Sequence, residues 1–527
     1  MKNRPLIIFF FLSIFILFQQ LSVNLSFYRE DCPIFVYCAK NVLLGKKLYV
    51  DVIEANPPLV HYLHCPVAFL NLKFSLPEIE AFKIYIISLI ILVFILAYYL
   101  LFRNGLENSI YQCFLIALVF FNLDVIILFG QREHIIILFL IPYLILRSIR
   151  YENYSLSVIN SFFAGVLASI AICIKPWYAV LLVLYDFAWL IITRNFKLLF
   201  TAENFSILGF MFLYVAHFFF LPKDEFVEYF NHVLPLFLNG YQAINASLSK
   251  LFLALMLAIS SRYSPVPKYF FLYVAILTYT SFKFCSKNKL IFPAMALLLA
   301  SMLAFLWQGK WFDYHLIPIQ YAFYLLCTLN IYCLAQWLSL KLADNKLVKQ
   351  LGVDQAKTLL TIFMLALLSP ILNGYGQLDT ENPEKAAILK YSKPNDKILV
   401  ISHSSRDLPE NYKRISVSKY CPDLYPISEF IYSRSHKSVF MSEAKLRELE
   451  NKYLNDLIAS LDGYKPKLII INYNPNSIYL NNLAYLQSIG FMDYCKKSYN
   501  VLSDPGLYSK ALMGPGVYSR YLILIRK

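Results

Sequence analysis

Residues 31–59 read DCPIFVYCAKNVLLGKKLYVDVIEANPPL, and this stretch says most about the architecture of the protein. It follows the first long apolar run and carries three carboxylates, at Asp31, Asp51 and Glu54, before a Pro-Pro turn. The spacing of its apolar residues predicts an amphipathic helix. Charges this close to membrane hydrocarbon are retained mainly for function. The stretch therefore indicates a membrane enzyme with a structured, acidic first loop.

The composition is that of a membrane protein. Of the 527 residues, 59% are hydrophobic and only 15% are charged, and the mean hydropathy is +0.55. A soluble globular chain has about 25% charged residues and a smaller apolar fraction. The composition therefore excludes a soluble fold for most of the chain.

Apolar runs of roughly the 20-residue length that crosses a bilayer recur through the first 375 residues. They cover residues 6–25, 84–102, 110–129, 134–149, 157–174, 177–193, 204–221, 268–283, 290–307, 315–338 and 356–373. The first run is expected to be an uncleaved anchor, because Lys2 and Arg4 precede it and no small-residue cleavage site follows it. The shorter run Leu248–Ile259 is expected to be interfacial or re-entrant, which leaves about eleven spans.

The positions of Lys and Arg predict the orientation, because positively charged loops stay on the cytoplasmic side. With the N-terminus inside, the cytoplasmic loops share basic residues: Arg103, Arg147 with Arg150, Arg194 with Lys197, Lys283–Lys289 and Lys341–Lys349. Arg262 and Lys268 argue against this arrangement. The C-terminus is then expected on the outer side of the membrane.

After Gly374 the pattern changes from long apolar runs to short mixed segments. β-like runs at 397–402, 467–472 and 521–526 alternate with helical stretches at 442–461 and 481–489, the second ending at Gly490. This alternation predicts a small α/β domain with a partly parallel sheet. The expected protein is mainly α-helical and polytopic over residues 1–375, with a first periplasmic loop at about 26–83 that contains amphipathic helices. A periplasmic α/β domain is expected over 380–527.

Several common kinds of site have no motif in this sequence. Neither GxGxxG nor GxxxxGK[ST] occurs, so no nucleotide site is expected. No nucleic-acid partner is expected either. The ten cysteines include no CxxC pair and the eight histidines no HExxH, so no zinc site is expected. Cys32 and Cys38 share the first loop and could pair in an oxidising compartment, although their spacing is awkward on one helix.

Three further polar segments fall at the outer ends of the predicted spans. They are GQREH at 130–134, the Lys175–Pro176 turn, and WQGKWFDYH at 307–315. Their cations suit an anionic phosphate, Arg through its planar fork and Lys as a compact point charge. The residues Trp177, Trp307 and Trp311 suit the headgroup level, where a sugar face or an isoprenoid chain packs. A carboxylate facing the same cavity could take the proton from an acceptor hydroxyl that attacks a sugar carbon.

The stretch Asp31–Pro58 resembles the first outer loop of the GT-C membrane glycosyltransferases, which include protein O-mannosyltransferases and the lipid A aminoarabinose transferase. That loop has an acid, a Tyr, an Ala-Arg-like pair, a Gly and a Pro-Pro-Leu end, matched here by Asp31, Tyr37, Ala39 with Lys40, Gly45, and Pro57 with Pro58 and Leu59. GQREH, IKPW and QGKWFDYH follow in order, a pattern closer to uncharacterised bacterial members. The resemblance covers roughly residues 1–375.

The resemblance implies an inverting transfer of a sugar from a polyprenyl-phosphate donor, with Asp31 as the catalytic base. The residues expected to hold the donor phosphate are Arg132, His134, Lys175, Lys310 and His315. Those expected to shape the loop or the acceptor side are Tyr37, Asp51, Glu54, Asn56, Gln131 and Glu133. The expected partners are a polyprenyl-phosphate-linked sugar, the lipid bilayer, and an acceptor that is a glycolipid such as lipopolysaccharide, a polysaccharide or a protein.

Metal use is left open by the resemblance, and no other cofactor is expected. Many members have a second acid after the first, where this chain has Cys32. Some relatives bind a divalent cation near this loop, and Asp31, Asp51 and Glu54 are the residues that could contribute here.

Each of these polar residues also has a plainer interpretation. A lone Lys or Arg often snorkels to the interface, Asp51 and Glu54 could form a solvated face, and His315 could be an interfacial anchor. Asp124, within the third apolar run, could face the same cavity or bond a neighbouring helix.

A multi-pass transporter or flippase of a lipid-linked or small-molecule substrate is the alternative function, and a non-catalytic assembly protein is a third. Transporters commonly show repeated halves with broken helices near the midplane. The sequence has no such repeat, and its polar segments gather at one face. The enzyme is therefore the favoured hypothesis.

Overall fold

The structure is a computed structural model. It describes residues 4–24, 31–107, 109–152, 156–243, 246–253, 279–281, 283, 288–310, 312–343, 345–368, 383–402, 409, 412–421, 425–435, 441–474, 481–502, 508–510 and 518–527. The chain divides into two compact units. The membrane unit comprises Met1–Arg29, Pro77–His217 and Ala246–Gln377, and the sheet unit comprises Glu30–Leu76, Phe218–Asn245 and Leu378–Lys527.

The described helices include one at each predicted apolar run except 268–283. They are α1 Arg4–Asn24, α2 Cys32–Leu43, α3 Pro58–Phe74, α4 Glu78–Arg103, α5 Cys113–Asp124, α6 Arg132–Tyr151, α7 Val158–Ile174, α8 Ala179–Thr193, α9 Ala202–Phe218, α10 Lys223–Glu228, α11 Leu234–Ala243, α12 Ile291–Gln308, α13 Ile317–Lys341, α14 Lys346–Leu351, α15 Val353–Leu368, α16 Pro383–Tyr391, α17 Tyr425–Ser435, α18 Glu443–Tyr464, α19 Asn482–Ser488 and α20 Phe491–Ser498. The described strands are β1 Lys397–Ile401, β2 Ile415–Ser416, β3 Leu468–Tyr473, β4 Tyr499–Leu502, β5 Tyr508–Lys510 and β6 Tyr518–Arg526.

The membrane unit is a bundle of apolar helices, because a helix satisfies all its own backbone hydrogen bonds where no water is present. Within the described residues, seven segments are long and apolar enough to cross a bilayer: Pro5–Ser22, Glu78–Arg103, Arg132–Tyr151, Pro176–Thr193, Phe196–Phe218, Ile291–Gln308 and Asp313–Lys341. Ile110–Asp124 and Val158–Ile174 are apolar but shorter. Most of the predicted run 268–283, the end of 356–373 and the second half of Leu248–Ile259 lie outside the described residues. The expected polytopic, mainly α-helical fold with a C-terminal α/β domain is confirmed.

Helix α6 is the central helix of the membrane unit. Its most apolar window is 94% buried, whereas that of Phe196–Phe218 is 11% buried. The helix packs against α4, α7, α8 and α13. At about 1.5 Å per residue, its two polar ends are separated by roughly 20 Å of apolar helix. The packing of α6 therefore determines where the polar side chains of its first residues lie.

The C-terminal end of α6 is held by a buried ion network. Arg147 is fully buried, and its guanidinium pairs with Asp186 on α8 at 2.9 Å and with Glu203 on α9 at 2.8 Å. Arg150 also pairs with Glu203, at 2.6 Å, and the Tyr143 hydroxyl donates to Asp186 at 3.0 Å. The sequence had treated Arg147 and Arg150 as loop charges that report orientation. In the structure they join three helices instead.

Replacing Arg147 by Met is expected to destabilise the protein by about 3–5 kcal/mol, because it leaves buried carboxylates without their cation. Thermal unfolding of the detergent-solubilised protein measures the effect. Arg103→Met, at the exposed end of α4, is the matched control and should unfold close to the wild-type temperature. Equal unfolding temperatures for the two variants would contradict the assigned role of the network.

The sheet unit is built on a mixed sheet in the order β2-β1-β3-β6-β4, with β5 pairing with β6. Strands β2, β1 and β3 are parallel, and β6 runs antiparallel to both β3 and β4. Successive side chains of a strand point to opposite faces of the sheet. The central strands carry apolar residues on both faces. One face packs with α16 through Ile398, Val400, Leu468 and Ile470; the other packs with α18 through Leu399, Ile401, Ile469 and Ile471.

The first loop belongs to the core of the sheet unit. The Ile53 N–H donates to the Lys419 carbonyl at 2.7 Å, and the Cys421 N–H donates to the Ile53 carbonyl at 2.8 Å. Ile34, Phe35 and other apolar residues of the loop share the larger core with the sheet and α18. The sequence had placed residues 26–83 with the membrane part. In the structure the loop belongs with the C-terminal domain, because it contacts segments that are distant in the chain. No local sequence pattern encodes such contacts.

Candidate functional site

A group of buried polar side chains gathers in the membrane unit where three connections meet. Arg132 and Glu133 begin α6, Lys175 follows α7, and Lys310 and His315 lie between α12 and α13. All five are at most 9% exposed. We call this group the cation site. These residues come from the three polar segments that the sequence had picked out at the outer ends of the spans.

Lys175 is at the centre of the cation site. Its Nζ lies 2.5 Å from Glu133 Oε1 and 2.9 Å from His315 Nε2, and those two acceptors are 3.8 Å apart. Because an ammonium group only donates, His315 Nε2 accepts and its ring proton lies on Nδ1. The Tyr314 ring centroid is 5.5 Å from Nζ. Lys175 is thus held in one position by Glu133 and His315.

Arg132 and Lys310 complete the cation site. Both lie close enough to His315 for their charges to act on its ring, together with that of Lys175. Three buried basic side chains, Arg132, Lys175 and Lys310, therefore lie near His315, and Glu133 forms an ion pair with Lys175. A buried cluster of this composition suits a ligand with at least one negative charge.

Two glycines make the turns that bring these cations into place. Gly130 has φ +77° just before α6, and a Cβ there would lie 2.2 Å from the Phe82 ring. Gly309 has φ +65° and ends α12 immediately before Lys310. Positive φ is costly for residues with a Cβ. A side chain at Gly130 would therefore displace the start of α6 and with it Arg132.

His134 and Gln131 hold the start of α6 in place through hydrogen bonds. His134 Nδ1 accepts from the Gly130 N–H at 3.0 Å, and His134 Nε2 lies 2.8 Å from Asn122 Oδ1. Both ring nitrogens are occupied, so in this conformation His134 has none left for a phosphate. Gln131 is the buried N-cap residue of α6, and its carbonyl accepts from the Ile135 N–H at 3.1 Å.

The predicted base, Asp31, begins α2 in the sheet unit. Its carbonyl accepts the N–H groups of Ile34 and Phe35 at 3.1 and 3.3 Å. Its carboxylate makes no capping hydrogen bond to the helix, although an aspartate at this position often does. Tyr37 is half-buried on the same helix and its carbonyl accepts from Asn41. Asp31 thus initiates α2 through its backbone alone.

Glu54 organises the turn that leads into the Pro-Pro pair. It is 3% exposed, and its two oxygens accept from the backbone N–H and the side-chain amide of Asn56, each at 2.7 Å. His61 Nε2 lies 3.1 Å from Glu54 Oε2. Asp51 is exposed and accepts from the Lys47 N–H at 2.8 Å. Glu54, Asn56 and Asp51 therefore shape the loop.

Replacing Glu54 by Gln is expected to destabilise the sheet unit by about 1–3 kcal/mol, because the new carboxamide offers only one acceptor oxygen to the two half-buried donors of Asn56. Limited proteolysis of the full-length protein at increasing temperature measures the effect. Asp51→Asn makes the same chemical change at an exposed position and should have a smaller effect. If the two variants are cleaved at the same temperature, the structural role of Glu54 is refuted.

The three acids that could hold a divalent cation do not form a metal site in the part of the chain that the structure describes. No group of three His, Cys, Asp or Glu side chains with metal-binding geometry occurs among the described residues. Both oxygens of Glu54 already accept from Asn56.

Sequence reasoning missed a buried polar residue beside the start of α6. Asn122 lies in an apolar run, 3% exposed, and orients His134. Asp124, which the sequence did single out, is buried at the end of α5. An Asn within a predicted span is itself a signal, because buried polar groups in a membrane need partners. Its partner, however, could not be identified from spacing.

The fold of nearly the whole chain is similar to that of ArnT from Cupriavidus metallidurans. The structure of that protein in the apo state superposes with a TM-score of 0.54, and its structure bound to undecaprenyl phosphate superposes with a TM-score of 0.52. The sequence identity is 11% in both comparisons. Both comparisons cover 98% of this chain and 97% of the other. No protein-family model matches the sequence, and no curated protein sequence does. The expected likeness in fold to the lipid A aminoarabinose transferase is confirmed.

Proposed function

We propose that the protein is an inverting glycosyltransferase of the bacterial inner membrane. It moves a sugar from a polyprenyl-phosphate donor to an envelope acceptor at the periplasmic face. The observation that carries the proposal is the cation site, which gathers three buried cations from three separate connections of the membrane unit. The shared fold with a protein that binds undecaprenyl phosphate supports it.

The cation site is proposed to hold the donor phosphate. An Arg guanidinium suits a phosphate through its planar fork, and a Lys ammonium suits it as a compact point charge. Lys175 is already oriented by Glu133 and His315, so little reorganisation is needed when charge develops on the leaving phosphate. Arg132 and Lys310 add charge from two other connections. His134 is left out of this assignment, because both its ring nitrogens are occupied.

The lipid and sugar parts of the donor are proposed to lie near exposed aromatic side chains of the membrane unit. Trp177 and Trp307 are 47% and 74% exposed, and their ring centroids are 6.3 Å apart. Trp177 comes shortly after Lys175 in the sequence, and Trp307 comes shortly before Lys310. Indole rings favour the headgroup level of a membrane and pack against sugar faces or isoprenoid chains. Trp311, which the sequence grouped with them, lies outside the described residues.

Asp31 is proposed as the base, on the resemblance of its loop. The acceptor hydroxyl oxygen attacks the anomeric carbon, and Asp31 takes the hydroxyl proton. The bond from the anomeric carbon to the phosphate oxygen breaks with inversion, and polyprenyl phosphate leaves with the electron pair. Because the phosphate is a good leaving group, no second carboxylic acid is needed, unlike in glycosidases.

Reconstitution tests the proposal. Purified protein in liposomes is supplied with polyprenyl-phosphate sugars and an envelope extract from the native membrane, and the products are analysed by mass spectrometry. We expect one acceptor to gain the mass of a single sugar while polyprenyl phosphate is released in equal amount. Passage of labelled substrate into the liposomes without a new covalent product would favour a transporter and contradict the proposal.

A further inference from the structure

Two cysteines from opposite ends of the sequence meet in the core of the sheet unit. Cys38 lies on α2 in the first loop, and Cys421 follows β2 in the C-terminal part. They are 0% and 4% exposed and belong to the same apolar core. The side chain of Cys38 is within hydrogen-bonding contact of that of Cys421, and the structure holds both as thiols.

The backbone around this pair is held in place independently of the thiols. The Cys421 N–H donates to the Ile53 carbonyl at 2.8 Å, and the Ile53 N–H donates to the Lys419 carbonyl at 2.7 Å. These bonds fasten the segment that carries Cys421 to the same loop that carries Cys38. The contact between the thiols is therefore part of an ordered junction between two distant segments.

Because the pair is buried, a bond between the two thiols forms before the core closes and is shielded from exchange afterwards. Burial raises the pKa of the Cys38 thiol well above its usual value, and the neighbouring Cys421 and Glu54 raise it further. A buried thiol that stays protonated exchanges slowly once the protein has folded. Within the described residues, no third ligand accompanies the pair in metal-binding geometry. The chemistry open to two adjacent thiols is then oxidation.

We propose that Cys38 and Cys421 form a disulfide that closes the first loop onto the C-terminal sheet. The inference rests on the outward placement of the sheet unit in the proposed function, because structural disulfides persist in oxidising compartments. The two thiols lose two protons and two electrons as the S–S bond forms. The disulfide of a thiol–disulfide oxidoreductase accepts them and becomes a dithiol. The pairing of Cys32 with Cys38 suggested by the sequence is replaced by this one.

Mass spectrometry of the full-length protein tests the proposal directly. Cells are quenched in acid, free thiols are blocked with N-ethylmaleimide under denaturing conditions, and the purified protein is digested without reductant. We expect a cross-linked peptide pair containing Cys38 and Cys421, which separates on treatment with dithiothreitol. Detection of both cysteines in the blocked form would overturn the proposal.

Variants identify the bond and its effect. Cys38→Ser should abolish the cross-linked peptide and leave Cys421 open to alkylation, and Cys421→Ser should do the reverse. Cys65→Ser, at a half-buried position on α3, is the control and should keep the cross-link. Because the bond closes a long loop, its loss should lower the unfolding temperature by roughly 10 °C. Loss of the cross-link in Cys65→Ser, or a Cys421 that is already alkylated in the wild-type protein, would overturn the assignment.

Failure of this inference is distinguishable from failure of the proposed function. A protein that transfers sugar but keeps both thiols reduced contradicts the disulfide alone. A cross-linked protein with no transferase activity contradicts the glycosyltransferase while supporting the disulfide. Alkaline phosphatase fused to the C-terminus, which is active only outside the cytoplasm, checks the shared premise. An inactive fusion on an inserted protein would contradict both.

Discussion

Replacing Asp31 by Asn is expected to reduce sugar transfer by roughly 10²–10⁴-fold, which is the contribution of a positioned general base. Asn has nearly the same size and shape but does not take a proton from the acceptor hydroxyl. The start of α2 should be preserved, because Asp31 receives the helix hydrogen bonds with its carbonyl and not with its side chain. Initial rates of sugar transfer in proteoliposomes measure the effect, with expression and membrane insertion assayed in parallel.

Asp493→Asn is the matched control for this substitution. Asp493 is an exposed acid on α20 in the same unit, where it pairs with Lys496 at 2.9 Å. The same chemical change there should leave both transfer and stability near wild-type values. Near-normal turnover of Asp31→Asn, with the control also active, would refute the assignment of Asp31 as the base.

Lys175→Met is expected to lower the catalytic efficiency, kcat/KM, by roughly 10²–10³-fold, as loss of one charge-stabilising donor does. The same substitution should destabilise the membrane unit by about 3–5 kcal/mol, because Glu133, which is fully buried, loses its cation. Transfer kinetics and thermal unfolding in detergent measure the two effects separately. Lys341→Met, at the exposed end of α13, should change neither.

The double variant Lys175→Met with Glu133→Gln separates binding of phosphate from stability. It removes the cation together with the carboxylate, so no uncompensated charge remains from that pair and much of the lost stability should return. Transfer should stay low, because the phosphate still lacks Lys175. Full recovery of transfer in the double variant would show that the pair serves stability alone, and the proposed phosphate site would then be wrong.

The sequence by itself determined the elements of this protein. Long apolar runs predicted the membrane helices, and the segments 397–402, 467–472 and 521–526 correspond to β1, β3 and β6. The predicted helix end at Gly490 has the expected left-handed backbone, with φ +82°. Such features depend on the composition and periodicity of neighbouring residues, which are present in full in the sequence. The polar segments at the ends of the spans were visible for the same reason.

Only the tertiary structure decided which of these segments meet. Arg147 and Arg150 pair with carboxylates inside the bundle, and both ring nitrogens of His134 make hydrogen bonds. The first loop lies in the core of the C-terminal domain. The tertiary structure also brings Cys38 to Cys421. Each outcome depends on contacts between residues far apart in the chain. Their geometry follows from how helices and strands pack as a whole, and no local pattern of residue types contains it.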